Sequence, residues 1–170
     1  MEREGLLLNH GYAVLTDDAV GVVTGSMTLE LRLRLDDLSP AWTSVVVRGT
    51  PGSGNAQSYG LYINSGGGLY FTTLASNTAS QGGKVTAGAW VHIACVVDAK
   101  ELEVRLYVNG EVVKTEKVSE GVKNRGGGPF CIGGADKNYN HGMTGCVRLV
   151  RVYDRAMSDA DVRRLSKQRP

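Results

Sequence analysis

The chain has 170 residues, 42% of them hydrophobic, enough for one domain with a sizeable core and short for two. Lysine and arginine number 19 against 17 aspartates and glutamates, and a formal charge of +2 is too balanced to point to nucleic acid or an anionic membrane as the main partner. Glycine is frequent at 23 residues and proline rare at 4, so the chain turns at glycines, as hairpin-rich proteins do, and helix is expected to be scarce.

In chain order, the first β-rich run is Tyr12 to Leu15. The clearest strand follows at Thr28-Leu29-Glu30-Leu31-Arg32-Leu33-Arg34-Leu35, where leucine recurs at every second position with charge between. Only a period of two puts all four leucines inside, so Glu30, Arg32 and Arg34 are expected on a wet face. Ser44 to Val47, Tyr59 to Ile63, Leu69 to Leu74 and Trp90 to Val97 are further strands, separated in places by glycine clusters. Leu102 to Val108 alternates again and runs into Asn109-Gly110. Asn-Gly between apolar strands marks a two-residue hairpin, because a type I′ turn needs positive φ at both residues, and Glu111 to Val118 is then the returning strand. Phe130 to Ile132 and Cys146 to Tyr153 complete the set. One helix is expected at the end: Ser158 can cap, Asp161 stands three residues on, and Arg163, Arg164 and Lys167 lie near its C-terminus.

About ten short strands with almost no helix between them predict antiparallel sheets packed face to face, as a sandwich or a barrel, in a single domain over residues 1–170. A parallel sheet would need helical crossovers. Leu29, Leu31, Leu33, Trp90, Ile93, Leu106, Val108, Val150 and Val152 are the expected core, and Arg105 is expected outside. Trp90 and Ile93 fall on opposite strand faces, so one of them must cover the outer side of its sheet or meet a loop.

Taken in order, Gly88-Ala89-Trp90-Val91-His92-Ile93-Ala94, Leu106-Tyr107-Val108-Asn109-Gly110, Cys131-Ile132-Gly133-Gly134 and the closing run from Gly145 to Ser158 resemble the successive signatures of laminin G-like domains in the concanavalin A-like lectin/glucanase superfamily. The resemblance spans roughly Gly11 to Leu165 and includes the early strand Ser26 to Leu31. It implies a two-sheet antiparallel jelly-roll β-sandwich, all-β with one short C-terminal helix, similar to pentraxins, and in relatives the binding of glycans or protein surfaces, often with calcium at a loop rim. Two departures stand out: Arg148 and Leu149 occupy closing-strand positions where relatives often carry acids, and Arg32 stands where an aromatic residue is common.

The segment from Gly134 to Gly142 is the most site-like. Asp136, Asn138, Tyr139, Asn140 and His141 gather a carboxylate, two amides, an aromatic face and an imidazole in one rim loop. Amides and carboxylates match sugar hydroxyls while a ring stacks on the C–H face, and the oxygens of Asp136 and Asn138 would also suit calcium. An ordinary polar loop has the same composition. With one acid beside Lys137, weak calcium binding at most is expected, and no other cofactor. Glu101 and Glu103 are the nearest pair of carboxylates for glycoside cleavage, but they stand at the start of a hairpin strand without a third acid, so no catalytic residue is assigned. His92 reads as a buried histidine bonded to its neighbours, and no metal-ligand spacing surrounds it.

Three cysteines, Cys95, Cys131 and Cys146, cannot all pair within one chain. Free thiols are expected; Cys131 and Cys146 flank the rim loop and could meet if their strands form a simple hairpin, but not if a sandwich places them in different sheets. The first residues lack a basic and then apolar leader, no run approaches a membrane span, and there is no Asn-x-Ser/Thr sequon. These features favour a cytoplasmic protein unless the chain is a domain excised from a secreted one. The functional expectation is a non-catalytic module that recognises glycans through its rim loops, with a protein-interaction domain of an intracellular assembly as the alternative and a glycoside hydrolase as the weakest reading. Oligomeric state is not legible from the sequence.

Overall fold

A computed structural model describes residues 5–15, 20–38, 42–49, 57–73, 79–124, 128–134 and 142–168. Twelve strands and one helix follow in the order β1 (Leu6–Gly11), β2 (Ala13–Leu15), β3 (Met27–Leu35), β4 (Thr43–Gly49), β5 (Gln57–Ile63), β6 (Leu69–Thr72), β7 (Ala79–Gly82), β8 (Trp90–Asp98), β9 (Glu103–Val108), β10 (Glu111–Lys117), β11 (Phe130–Ile132), β12 (Met143–Tyr153) and α1 (Asp159–Lys167). They form two six-stranded sheets, the first ordered β1-β12-β3-β8-β9-β10 and the second β2-β11-β4-β5-β6-β7, with every strand pair antiparallel. This is the jelly-roll sandwich that the alternation and the resemblance implied.

The core lies between the sheets. Met27, Leu29, Leu31, Leu33 and Leu35 of β3 and Val91, Ile93, Cys95 and Val97 of β8 face Val45, Val46, Tyr59, Leu61, Ile63, Leu69 and Phe71 of the second sheet. Cys95 thus points inward and His92 outward, as strand parity requires. Asn109 and Gly110 adopt φ of +52° and +86° and join β9 to β10 with Val108 opposite Glu111, the expected two-residue turn.

Ser158 caps α1, its hydroxyl accepting a hydrogen bond from the Asp161 backbone N–H. The helix lies on the outer face of the first sheet, where Met157 and Val162 close over Ala94, Val96 and Tyr107 in a second, smaller apolar cluster. That cover corrects several expectations. Glu30 is buried at 1% exposure, because Tyr153 and His92 close over it, and Thr28 is buried beneath the Arg155 to Met157 backbone. Arg32, Arg34 and Arg105 are half-buried rather than exposed: Arg32 donates to the Ser166 carbonyl on α1, and Arg105 donates to Asp159 at 2.7 Å. Trp90, Val108, Val150 and Val152 are half-buried rather than buried; the last three pack on the rim of the core, whereas Trp90 stands on the outer side of its sheet.

β1 was not anticipated, because Leu6-Leu7-Leu8 has no alternation, and β7 is short and weakly apolar. The three cysteines are free and buried. Cys131 pairs with Val14 and Val47 in the second sheet, Cys146 with Leu7 and Arg34 in the first. Each alternates with inward-facing neighbours, so both thiols point outward on opposite sides of the sandwich, which excludes a bridge between them. Among the described residues, no helix is long and apolar enough to cross a membrane.

Candidate functional site

The outer face of the second sheet carries the most ligand-like arrangement among the described residues. On β5, Tyr59, Leu61 and Ile63 enter the core, leaving Ser58, Gly60 and Tyr62 outside; on β6, Leu69 and Phe71 enter and Tyr70 and Thr72 stay out. Tyr62 and Tyr70 are direct cross-strand partners with ring centroids 6.0 Å apart. Trp42, just before β4, meets Tyr70 edge-on at 5.2 Å and remains 44% exposed. Three rings therefore meet on one face, held at steep angles to one another, and Tyr62 and Tyr70 stay half-open to solvent.

The β5–β6 turn fixes that pair. Asn64 Oδ1 accepts from the backbone N–H groups of Gly66 and Gly68, both at 2.9 Å, and Gly67 takes a φ of +82° that favours glycine. Beside the rings, Gln57 is buried with its Oε1 accepting from the Tyr62 hydroxyl at 3.1 Å, while its Nε2 has no hydrogen-bond partner among the described residues. Gly60 permits this packing: a Cβ there would run into Gln57 Nε2 and the Tyr62 ring. A buried amide donor without an acceptor costs about 1–3 kcal/mol, so the position favours any hydroxyl or carbonyl that could reach it.

Asp136, Asn138, Tyr139, Asn140 and His141 lie outside the described residues. The ends of their segment are placed. Gly133 N donates to the Val45 carbonyl at 2.9 Å and Met143 N to the Gly133 carbonyl, while Gly134 and Gly142 lie against Tyr12 and the His10 backbone. The register of β11 on β4, with Ile132 opposite Val46, places Gly133 at the β4 end that Trp42 precedes. Gly133 and the aromatic cluster therefore share one end of the sandwich.

Of the other candidates, Glu101 is exposed and Glu103 is engaged by Lys117 at 3.4 Å and Arg105 at 3.6 Å. His92 is buried as expected, its Nε2 3.3 Å from Glu30 Oε1. Glu30 also accepts from the Tyr153 hydroxyl at 2.7 Å and lies 3.6 Å from Arg151. Burial alone would raise its pKa; the hydrogen bonds from His92 and Tyr153, with the electrostatic pull of His92 and Arg151, outweigh that and hold the carboxyl below its ordinary 4.5. This network ties β3, β8 and β12 together. Among the described residues, no three His, Cys, Asp or Glu side chains gather to hold a metal ion.

Trp42, Gln57, Tyr62 and Tyr70 were not singled out from the sequence. A signal existed in part: Tyr62 and Tyr70 fall on the polar beat of strands whose other beat is Leu61, Ile63, Leu69 and Phe71.

Residues 8–163 match the Laminin_G_3 family of the concanavalin A-like lectin/glucanases superfamily, and the chain belongs to that family. A comparison with curated protein sequences gave no match. Among solved structures, the CBM40 of the Ruminococcus gnavus IT-sialidase, bound to α2,3-sialyllactose, is similar with a TM-score of 0.78 and 17% identity, covering 96% of this chain and 97% of that one. The Trypanosoma rangeli sialidase in complex with 2,3-difluorosialic acid matches with a TM-score of 0.72 and 21% identity over 96% of this chain, which spans only 27% of the sialidase. A heptameric SAP-like pentraxin from Limulus polyphemus matches at 0.63 and 16% identity, covering 86% of this chain and 73% of that one. At these identities the similarities show the fold, which is lectin-like.

Proposed function

We propose that the protein is a non-catalytic carbohydrate-recognition module that holds a glycan on the outer face of its second sheet, across Trp42, Tyr62 and Tyr70, and that residues Asp136 to His141 contribute to its recognition. The observation that carries this is the cluster of three ring systems beside the unpartnered amide of Gln57. Ring faces stack against the apolar C–H face of a pyranose and exclude water there, while amide and hydroxyl groups discriminate its hydroxyls. A saccharide is bound by a structural neighbour that covers 96% of this chain, which supports the class of ligand but not its identity. The ion-paired state of Glu103 supports the non-catalytic part of the reading, since glycoside cleavage needs one carboxyl free to donate a proton and a second poised beside it.

A glycan-array screen of the intact chain, run with and without calcium, tests the proposal, followed by affinity measurements on Trp42→Ala and Tyr70→Ala. Binding of a defined saccharide that both substitutions weaken supports it; a saccharide bound equally well by both variants removes this face from the reading. A protein-binding role is favoured instead by the exposed leucines of the edge strand β1, Leu6 and Leu7, and pull-down with Leu7→Asp separates the two.

A further inference from the structure

On the outer face of the first sheet, away from α1, one cross-strand row runs Leu7 (β1), Cys146 (β12), Arg34 (β3) and Trp90 (β8). Arg148 departs from β12 at a bulge between Val147 and Leu149, where the pairing with β3 slips by one residue. Its guanidinium carbon stands 4.2 Å from the Trp90 ring centroid, and that of Arg34 stands 5.7 Å from it. Two cations thus share one indole.

Their charges are not balanced. Arg34 Nε is paired with Asp36 at 2.9 Å. Arg148 makes no ion pair among the described residues, and its Nε is hidden from solvent without a hydrogen bond. Several other cations are matched by acids, as in Arg105 with Asp159, Arg163 with Glu111 and Lys117 with Glu103. Holding Arg148 against Trp90 fixes the plane of its guanidinium, which orders a fork of donors before any ligand arrives. Leu7, 67% exposed in the same row, adds an apolar shelf.

We infer that Arg148, Trp90 and Arg34 form a second binding site, distinct from the aromatic face of the other sheet, for an oxyanion carried by an acidic saccharide. Arg148 holds a carboxylate or sulfate through its fork, Arg34 adds charge from the side, and Leu7 with the open part of the indole contacts the sugar. A nucleic acid is a poorer fit, because it needs a run of phosphate contacts, and the overall charge is only +2. The inference does not depend on the proposed function of the other face.

The test is fluorescence titration of the Trp42→Phe chain, which leaves Trp90 as the one tryptophan of the two and so reports on this face alone. The probes are a sulfated heparin-derived oligosaccharide, a hyaluronan oligosaccharide of the same length carrying only carboxylates, a neutral cello-oligosaccharide, and inorganic sulfate. Trp90 emission is expected to change with an acidic oligosaccharide and not with the neutral one. A response to the heparin fragment alone assigns sulfate as the anion; a response to both shows that a carboxylate suffices. Arg148→Gln should weaken binding roughly tenfold or more, the size of one lost charge-assisted contact, and Arg148→Lys should fall between because it keeps charge but loses the fork. Where Arg148→Gln lowers the melting temperature, Arg34→Gln provides the second measurement, with a smaller loss expected. Equal binding of the neutral sugar, no response to either acidic one, unchanged affinity in a folded Arg148→Gln chain, or inorganic sulfate binding as tightly as the oligosaccharides would overturn the inference.

Discussion

Tyrosines stand on the outer faces of both sheets, in opposite conditions. On the first sheet, Tyr107 donates to Asp159 and Tyr153 to Glu30, both at 2.7 Å, and the pKa of each hydroxyl is raised by burial and by the carboxylate it bonds. These rings are structural: Tyr107 lies under α1 with Val162, and Tyr153 closes the network around Glu30. On the second sheet, Tyr62 and Tyr70 stay half-open to solvent beside the exposed Trp42, and the amide they shelter is only half satisfied. The same residue type, on the same beat of a strand, serves stability where a helix covers it and remains available to a ligand where nothing among the described residues does.

That contrast can be broken by substitution, and the largest effect is expected on the covered face. Val162→Asp puts a carboxylate at a fully buried position between α1 and the sheet, and should cost about 4 kcal/mol in urea unfolding or prevent folding. A loss below about 1 kcal/mol would show that α1 is not an integral part of that face.

Glu30→Gln should cost about 2 kcal/mol at neutral pH, because it weakens bonds to His92 and Tyr153 at a buried site. The pH dependence follows from the direction of the shift. The folded-state pKa lies below 4.5, so the unfolded chain takes up the proton first; the contribution is complete above 4.5 and declines as pH falls through the folded value. Melting curves of the two proteins should therefore differ most at neutral pH and converge in acid below 4.5. A difference that grows in acid contradicts the network.

On the open face the readout reverses. Trp42→Ala and Tyr70→Ala should each lower glycan affinity about tenfold, a typical loss for one stacking contact, while stability moves by no more than about 0.5 kcal/mol for Trp42. Calorimetric titration beside thermal melting separates the two. A collapse of stability in Trp42→Ala would mean that its ring is a packing element like Tyr107.

The smallest effect is expected from calcium. A ligand at 100 times its Kd adds about 2.7 kcal/mol of stability, which a melting curve shows readily. Millimolar calcium should leave the melting temperature almost unchanged, because the rim offers one carboxylate, Asp136, next to Lys137. A clear rise that disappears in Asp136→Ala would assign a calcium site to the rim and sharpen the contrast between the two faces.

The sequence by itself determined antiparallel sheets packed face to face, because a period-two pattern such as that of Thr28 to Leu35 has a single way to hide its leucines and Asn109-Gly110 selects one kind of turn, and the family resemblance implied a sandwich rather than a barrel. It also determined the cap at Ser158 and the placing of Cys95 and His92 on opposite faces of their strand, which depend on neighbours a few residues away. Tertiary structure decided what lies on top of each sheet. Glu30 reads as a wet residue until α1 and Tyr153, more than a hundred positions later in the chain, close over it. In the same way Trp42, Gln57, Tyr62 and Tyr70 become one cluster only when β4, β5 and β6 are brought into register, and Arg148 reaches Trp90 only across an intervening strand. Alternation reports which side of a strand a residue is on; whether that side meets water, a helix or a ligand depends on contacts distant in sequence, which carry no local periodicity.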